Sequence, residues 1–197
     1  MRKEFMAMQY EYTAIPASEV PQAARPIFQH LLDTYASETS KVITVWRQFS
    51  PADMAFKPAE RSSSVLDIMK HQLLSERRFF AEFIGLPGEA EAAAVLPKEL
   101  TPESFCRRNE ELCKPRLPRL AAADEKWWLE TVPFFDVQRQ RIWVFWRRVL
   151  HTAHHRTQLS VCLRLLGKAV PPSYGPTADV TWQGADPTKS VQAAVRK

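Results

Sequence analysis

The sequence predicts an all-α protein whose helices form a four-helix bundle in one domain. The chain has 197 residues, of which 45% are hydrophobic, and this is enough for one substantial core. Its five glycines are too few for the many tight turns of a β-sandwich or barrel. Four long segments carry apolar residues at helical spacing, and such amphipathic helices bury their apolar stripes by packing against one another.

The start of the chain shows no regular pattern before the first helix. Residues 1–24 contain two prolines and no clear hydrophobic period, so we expect an N-terminal arm there. The bundle domain is predicted over residues 25–183. Its first helix is expected from Ile27 to Phe49, because apolar side chains recur through this segment at the spacing of one helix face.

The second helix has a clear start and a clear end. It follows the connector FSPADMAFKPAERSSS, in which prolines and serines interrupt any helical pattern. Ser64 with Asp67 three residues later is typical of a capping box, which predicts that the helix begins here. The sequence GLPG at residues 85–88 predicts its end.

The third helix is predicted to be interrupted. Thr101 stands before a proline and predicts the start of a helix that is expected to run towards Ala123. Pro115 and Pro118 lie within it, and each removes a backbone N–H donor. We therefore expect a kink or a break at these prolines.

The last helix follows a long aromatic connection. The segment WWLETVPFFDVQRQ is expected to pack over one end of the bundle as an irregular connection. The helix itself is predicted from about Arg139 to Leu166, and Gly167, directly after it, is predicted to end it. The irregular C-terminal tail that follows is rich in proline and polar residues, and residues 184–197 are expected to be flexible.

Composition limits the partners and the compartment. A net charge of +5 without a basic motif interleaved with aromatic residues predicts a solvated surface, so we expect no nucleic-acid partner. Three cysteines without a C-x-x-C pair predict free thiols in a reducing compartment. No stretch approaches 18 uncharged apolar residues, and the N-terminus lacks the apolar core of a signal peptide. We therefore expect a cytoplasmic protein without a membrane partner.

The last helix contains three of the five histidines, all within the five-residue stretch 151–155 of the segment VLHTAHHRTQLSVCLRLLG. On a helical wheel, three polar side chains of this segment share one direction: His151, His155 and Gln158. Three apolar side chains lie on the same side of the helix: Val144, Cys162 and Leu165. The polar side is marked by Arg156, Thr157, Ser160 and Arg164. The pattern therefore predicts that the two histidines face inward, where an imidazole needs a partner.

Two interpretations of this pair remain open at this point. Histidines at positions i and i+4 each offer one ring nitrogen and suit a divalent metal ion. Alternatively, they are core histidines that form hydrogen bonds with carbonyl or carboxylate groups. His71 on the second helix is the best candidate for a third ligand, although it falls on the polar side of that helix and would have to face an open cavity at the end of the bundle. A zincin protease is excluded, because Thr152 occupies the position of its catalytic Glu.

Two segments resemble one known family. HTAHHRTQLSVCLRLLG followed by PPSYGP is similar to the closing helix of the DinB/YfiT-like family, and SSSVLDIMKHQLLSERRFF is similar to its second helix. The resemblance spans roughly residues 27–180. It implies a four-helix bundle in which His71, His151 and His155 bind a divalent ion such as nickel or zinc. It also implies that His154 is a neighbour and that Gln158 orients a ligand or a bound water.

The resemblance implies an activity as well. Some members are thiol-dependent transferases, so we expect a metal-dependent enzyme of transferase or hydrolase type that activates a low-molecular-weight thiol or water against a small-molecule electrophile. Arg78 or Arg148 is a candidate for holding a substrate carboxylate, although lone arginines more often lie at the surface. The alternative is a stress-associated protein without turnover that binds metal or forms a homodimer.

The sequence departs from the family pattern at one position of the last helix. Thr157 stands where the family commonly has a glycine.

Overall fold

The computed structural model describes residues 13–175 and 177–179, and the predicted all-α bundle is confirmed over them. Residues 1–12 of the predicted arm and the predicted tail at 184–197 lie outside this part of the chain. The elements in chain order are α1 (Gln29–Trp46), α2 (Val65–Arg78), α3 (Pro102–Cys113), α4 (Arg116–Ala121), α5 (Glu125–Leu129), β1 (Thr131–Phe134), β2 (Val137–Gln140) and α6 (Arg141–Leu165). No helix among the described residues is both long enough and apolar enough to cross a membrane.

Local sequence signals place the start of α2 where the pattern predicts it. The Ser64 hydroxyl accepts a hydrogen bond from the Asp67 backbone N–H at 3.1 Å, and the Asp67 carboxylate accepts one from the Ser64 backbone N–H at 3.2 Å. This reciprocal capping box satisfies two backbone donors that the first helical turn leaves unpaired. At its other end, α2 continues into a π-helical turn, Phe79–Phe83, which hydrophobic spacing does not predict.

The predicted interruption of the third helix occurs at Pro115. α3 ends two residues before this proline and α4 begins directly after it. Pro118 lies in the first turn of α4, where a backbone N–H has no partner within the helix, so a proline is tolerated there. The third helix is therefore two helices separated by Lys114 and Pro115, whose backbone angles stay in the helical region.

The aromatic connection is more regular than the sequence predicts. It contains the short helix α5 and an antiparallel hairpin in which β1 pairs with β2, with Phe134 opposite Val137. Four-residue strands are too short to show a hydrophobic period, which is why the hairpin was not predicted. Trp128 of α5 is fully buried against Phe28 and Phe145, so the connection does cover the end of the bundle where α1 and α6 begin.

Contacts along α1 give the direction of the other helices. Tyr35 near its start contacts Glu76 of α2, Arg116 of α4 and Phe145 of α6, whereas Trp46 at its end contacts Gln72 of α2 and Phe105 of α3. α2 and the α3–α4 pair therefore run antiparallel to α1, and α6 runs parallel to it. The bundle is up–down–down–up, and residues 84–101 return the chain from the end of α2 to the start of α3.

A buried ionic cluster joins four of these helices and the loop after α2. Arg116 binds Glu76 at 2.5 Å and Glu89 at 2.6 Å, and Arg148 binds the second oxygen of Glu76 at 2.6 Å. Tyr35 donates its hydroxyl proton to Glu76 at 2.7 Å. Burial raises the pKa of Glu76, but the charges of Arg148 and Arg116 outweigh it and hold this pKa below its ordinary value. Glu76 is therefore ionised inside the core.

A second buried ion pair shows that the predicted position of Arg156 on α6 is wrong. Arg156 was expected on the polar side, but its side chain is 2% exposed and binds Glu38 of α1 at 2.6 Å. Tyr174 also donates a hydrogen bond to Glu38 at 2.7 Å, which attaches the segment after α6 to the bundle. A wheel that treats every arginine as a surface residue cannot find such a pair, because its partner lies on another helix.

Replacement of Arg116 by methionine is expected to destabilise the fold strongly. The variant leaves the Glu76 and Glu89 carboxylates buried with fewer compensating charges, and removal of one partner from a buried ion pair costs about 3–5 kcal/mol. The half-exposed Lys114, which pairs with Glu110 and Glu19 at the surface, provides the control: Lys114→Met is expected to cost ~1 kcal/mol or less. Urea denaturation of both variants measures the difference. Equal losses of stability would contradict the role given to the cluster.

Candidate metal centre

Three histidine side chains converge between α2 and α6. His151 and His155 lie one turn apart on α6, and His71 faces them from α2. The Nε2 atom of His151 is 3.3 Å from Nε2 of His71 and 3.2 Å from Nε2 of His155. Ring nitrogens of all three residues lie within 4.8 Å of one another. The structure therefore brings together all three residues that the sequence suggested as ligands.

This spacing fits a single divalent ion. Zinc binds imidazole nitrogen at about 2.0–2.1 Å, and neighbouring ligands of a tetrahedral ion at that distance are about 3.3 Å apart. The two short distances around His151 match this value. Imidazole nitrogens are also the donors that zinc and nickel favour. The residues present thus fit the metal that the resemblance implies, and they offer three donors.

The electrostatic environment keeps the three imidazoles neutral, as metal ligands must be. Burial lowers the pKa of His151 to about 3, and the charge of Arg148 and the two neighbouring histidines add to the effect. Burial and Arg148 also lower the pKa of His71. The pKa of His155 is lowered by burial and by its histidine neighbours, although its hydrogen bond to Gln158 opposes the shift. Protons therefore compete weakly for these nitrogens at neutral pH.

Gln158 holds the ring of His155. The Gln158 side-chain oxygen accepts a hydrogen bond from His155 Nδ1 at 2.7 Å, which leaves Nε2 of this neutral ring unprotonated and directed at the other histidines. The Gln158 amide nitrogen in turn donates to Nε2 of His154 at 3.2 Å. His154 is thus a neighbour that fixes the orientation of the Gln158 amide, and it lies outside the converging group.

Two contacts of His151 are not predicted by the sequence. Nη1 of Arg148 lies 3.2 Å from His151 Nδ1, and Oγ of Ser75 lies 3.5 Å from the same atom. Ser75 stands four residues after His71 and so shares its face of α2, which is a spacing that could have identified it. Arg148 gave no such signal, because its burial depends on Glu76 of α2.

The structure changes several details of the expected site. The donors lie half-way along α2 and α6, because His71 is seven residues into a 14-residue helix, and so they are not at the end of the bundle. His151 and His155 are half-buried, whereas Gln158 and Leu165 are exposed, although the wheel placed all four on the inner face. The site is therefore a shallow one that opens at the His71 side.

The two arginines considered for a substrate carboxylate have other partners. Arg148 is buried and binds Glu76 at 2.6 Å, so it is neither a surface residue nor available to a substrate. Arg78 is exposed and pairs with Glu82 at 3.0 Å. The pairing of Arg148 with Glu76 was not visible in the sequence, because it depends on the fold, whereas Arg78 and Glu82 have the i, i+4 spacing of a helical ion pair.

Aromatic side chains border the histidines on one side. The ring of Phe79, from the π-helical turn, lies 5.9 Å from the ring of His151. Phe134 of the hairpin packs on Phe79 at 5.7 Å and on Trp143 of α6 at 5.4 Å. Trp143 is exposed, and so is Phe135, which follows Phe134 in the hairpin. The hairpin and the π-helical turn together form an apolar wall, which begins beside the three histidines.

Comparisons with known proteins agree with this architecture. The model of the DinB family matches residues 21–186. A DinB-like protein from Bacillus cereus aligns with a TM-score of 0.63 and 17% identity, covering 73% of this chain and 95% of that chain. A DinB-like protein from Bacillus subtilis aligns with a TM-score of 0.58 and 21% identity, with 73% and 95% coverage. No curated protein matches the chain. At these identities the two structures establish the fold.

Replacement of Gln158 by alanine is expected to weaken metal binding by about 10–100-fold, because outer hydrogen-bond partners of ligating histidines typically contribute this much to affinity. The variant removes the acceptor of the His155 Nδ1 proton. Thr157→Ala is the matched control, since the exposed Thr157 hydroxyl donates only to the carbonyl of Ala153. Competition with a chromophoric chelator measures both affinities. Equal affinities for the two variants would show that Gln158 does not orient a ligand.

Proposed function

The chain belongs to the DinB family, as the resemblance of its histidine segments predicted, and we propose that it is a divalent-metal-binding protein with enzymatic activity. The observation that carries this proposal is the convergence of His71, His151 and His155. Three neutral imidazoles whose ring nitrogens face one another offer the donor set of a three-histidine zinc site. Nickel or zinc is the metal that we propose, since imidazole donors suit both ions.

The proposed reaction is attack of a thiol or of water on a small-molecule electrophile. A bound divalent ion with an open position stabilises the anionic form of such a nucleophile near neutral pH. The fold favours access from solution, because His71 is exposed at the mouth of the site. The buried rings of Phe79 and Phe134 border the histidines on one side and exclude water from that side of the nucleophile.

A thiol in this reaction would have to come from a low-molecular-weight cosubstrate. All three cysteines of the chain are buried and free. Burial raises the pKa of Cys106 and of Cys113 to about 12, and it also raises the pKa of Cys162. These thiols stay protonated and inaccessible, so none of them is suited to attack a substrate.

A second candidate function, a homodimer without turnover, is supported by the outer face of α6. Four large apolar side chains are exposed on this face: Trp143, Leu150, Val161 and Leu165. Leu150 is 63% exposed and Leu165 is 58% exposed. Their spacings of 4, 7 and 11 residues place them on one side of the helix, where a second copy of the chain could cover them.

The purified protein is expected to contain one divalent ion per chain by mass spectrometry. His151→Ala should lose the ion while its helical circular dichroism is retained, because His151 contacts both other donors. His30→Ala is the control, since His30 stacks on Trp146 away from the group and its loss should leave the metal content unchanged. A panel of electrophiles and thiols then tests turnover. Wild-type protein without bound metal would overturn the proposed function.

The double variant Leu150→Glu, Leu165→Glu tests the second candidate. If the outer face of α6 is a dimer interface, wild-type protein should have twice the chain mass by light scattering. The variant should be monomeric, because each copy would bury two charges at the interface. A monomeric wild-type protein would contradict the dimer. Metal binding without consumption of any thiol or electrophile would favour a metal-binding protein without turnover.

A further inference from the structure

The two ring nitrogens of His151 contact groups of different chemistry. On one side, Nδ1 lies 3.2 Å from Nη1 of Arg148. A guanidinium group can only donate, so Nδ1 accepts this hydrogen bond. A neutral imidazole carries one proton, and in this arrangement the proton of His151 is therefore on Nε2.

That proton points to the place where the three histidines converge. Nε2 of His151 lies 3.2 Å from Nε2 of His155 and 3.3 Å from Nε2 of His71. Gln158 holds the proton of His155 on Nδ1, so Nε2 of His155 is a bare acceptor. The contact between the two rings is thus a hydrogen bond that His151 donates. The nitrogen that would bind a metal is protonated in this arrangement.

We propose that Ser75 is a positioning residue that makes His151 competent to bind metal, by accepting the Nδ1 proton of the other tautomer. This inference rests on the proposed metal site. Oγ of Ser75 lies 3.5 Å from His151 Nδ1, and it is an acceptor beside this atom, whereas Arg148 is a donor only. Metal binding would require Nε2 to release its proton to solvent and Nδ1 to take one up from solvent. His151 stays neutral and releases no net proton.

Arg148 and Ser75 thereby favour opposite tautomers of one ring. Arg148 favours a proton on Nε2, and it is held in place by its bonds to Glu76 and to the carbonyl of Gln72. These bonds remain when the contact with His151 is lost, so the cluster in the core need not rearrange. Metal affinity then depends on the strength of the Ser75 hydrogen bond relative to that of Arg148.

The tautomer is measured directly by long-range ¹H–¹⁵N correlation spectra of the histidine rings. In protein freed of metal by a chelator, His151 is expected to be protonated on Nε2. After addition of one equivalent of Zn²⁺, it is expected to be protonated on Nδ1, whereas His155 keeps its Nδ1 proton throughout. A His151 ring that keeps its proton on Nε2 after Zn²⁺ is bound would overturn the proposal.

Substitutions test the role of Ser75 independently. Ser75→Ala is expected to bind Zn²⁺ about 10-fold more weakly, and Ser75→Thr to restore the affinity because it retains the hydroxyl. Ser160→Ala is the matched control, since that hydroxyl donates to the Arg156 carbonyl on α6. Wild-type affinity in Ser75→Ala would overturn this inference and leave the metal site intact. Failure of wild-type protein to bind Zn²⁺ would overturn the metal site as well.

Discussion

The arrangement of the candidate site depends on one buried ion pair between α2 and α6. Arg148 binds the carboxylate of Glu76 and the carbonyl of Gln72, so it contacts two positions of α2 at once. Displacement of α6 by one helical turn, about 5.4 Å, would break both bonds. Because Gln72 follows His71 directly and Arg148 precedes His151 by three residues, the same bonds place these histidines opposite each other. The core interaction therefore determines where the nitrogens meet.

The ion pair also sets the electrostatics of the centre. Buried ion pairs contribute little to stability compared with apolar residues of the same size, because both charges lose their hydration. Here the arginine lies between a carboxylate in the core and an imidazole at the site, and its charge helps to keep His151 neutral. Arg148 thus links the packing of the bundle to the protonation of a candidate ligand, which a purely apolar contact between the helices could not do.

Much of this structure follows from local sequence, and the remainder follows from contacts between distant residues. The capping box at Ser64 and the break at Pro115 were predictable because capping and proline geometry act within a few residues. The pairing of Arg156 with Glu38 was not predictable, since 118 residues separate the partners. The histidines were found by their spacing and by resemblance. The contacts of Ser75 and Arg148 with His151 required the packing of α2 on α6.

The central claim is that His71, His151 and His155 bind one divalent ion through their Nε2 atoms. X-ray absorption spectroscopy at the metal edge of the reconstituted protein tests it most directly. With Zn²⁺ as the metal, the account predicts three imidazole nitrogens at about 2.0–2.1 Å, with the multiple scattering that histidine rings produce. A metal surrounded by oxygen ligands alone, or by fewer than three imidazoles, would contradict the account.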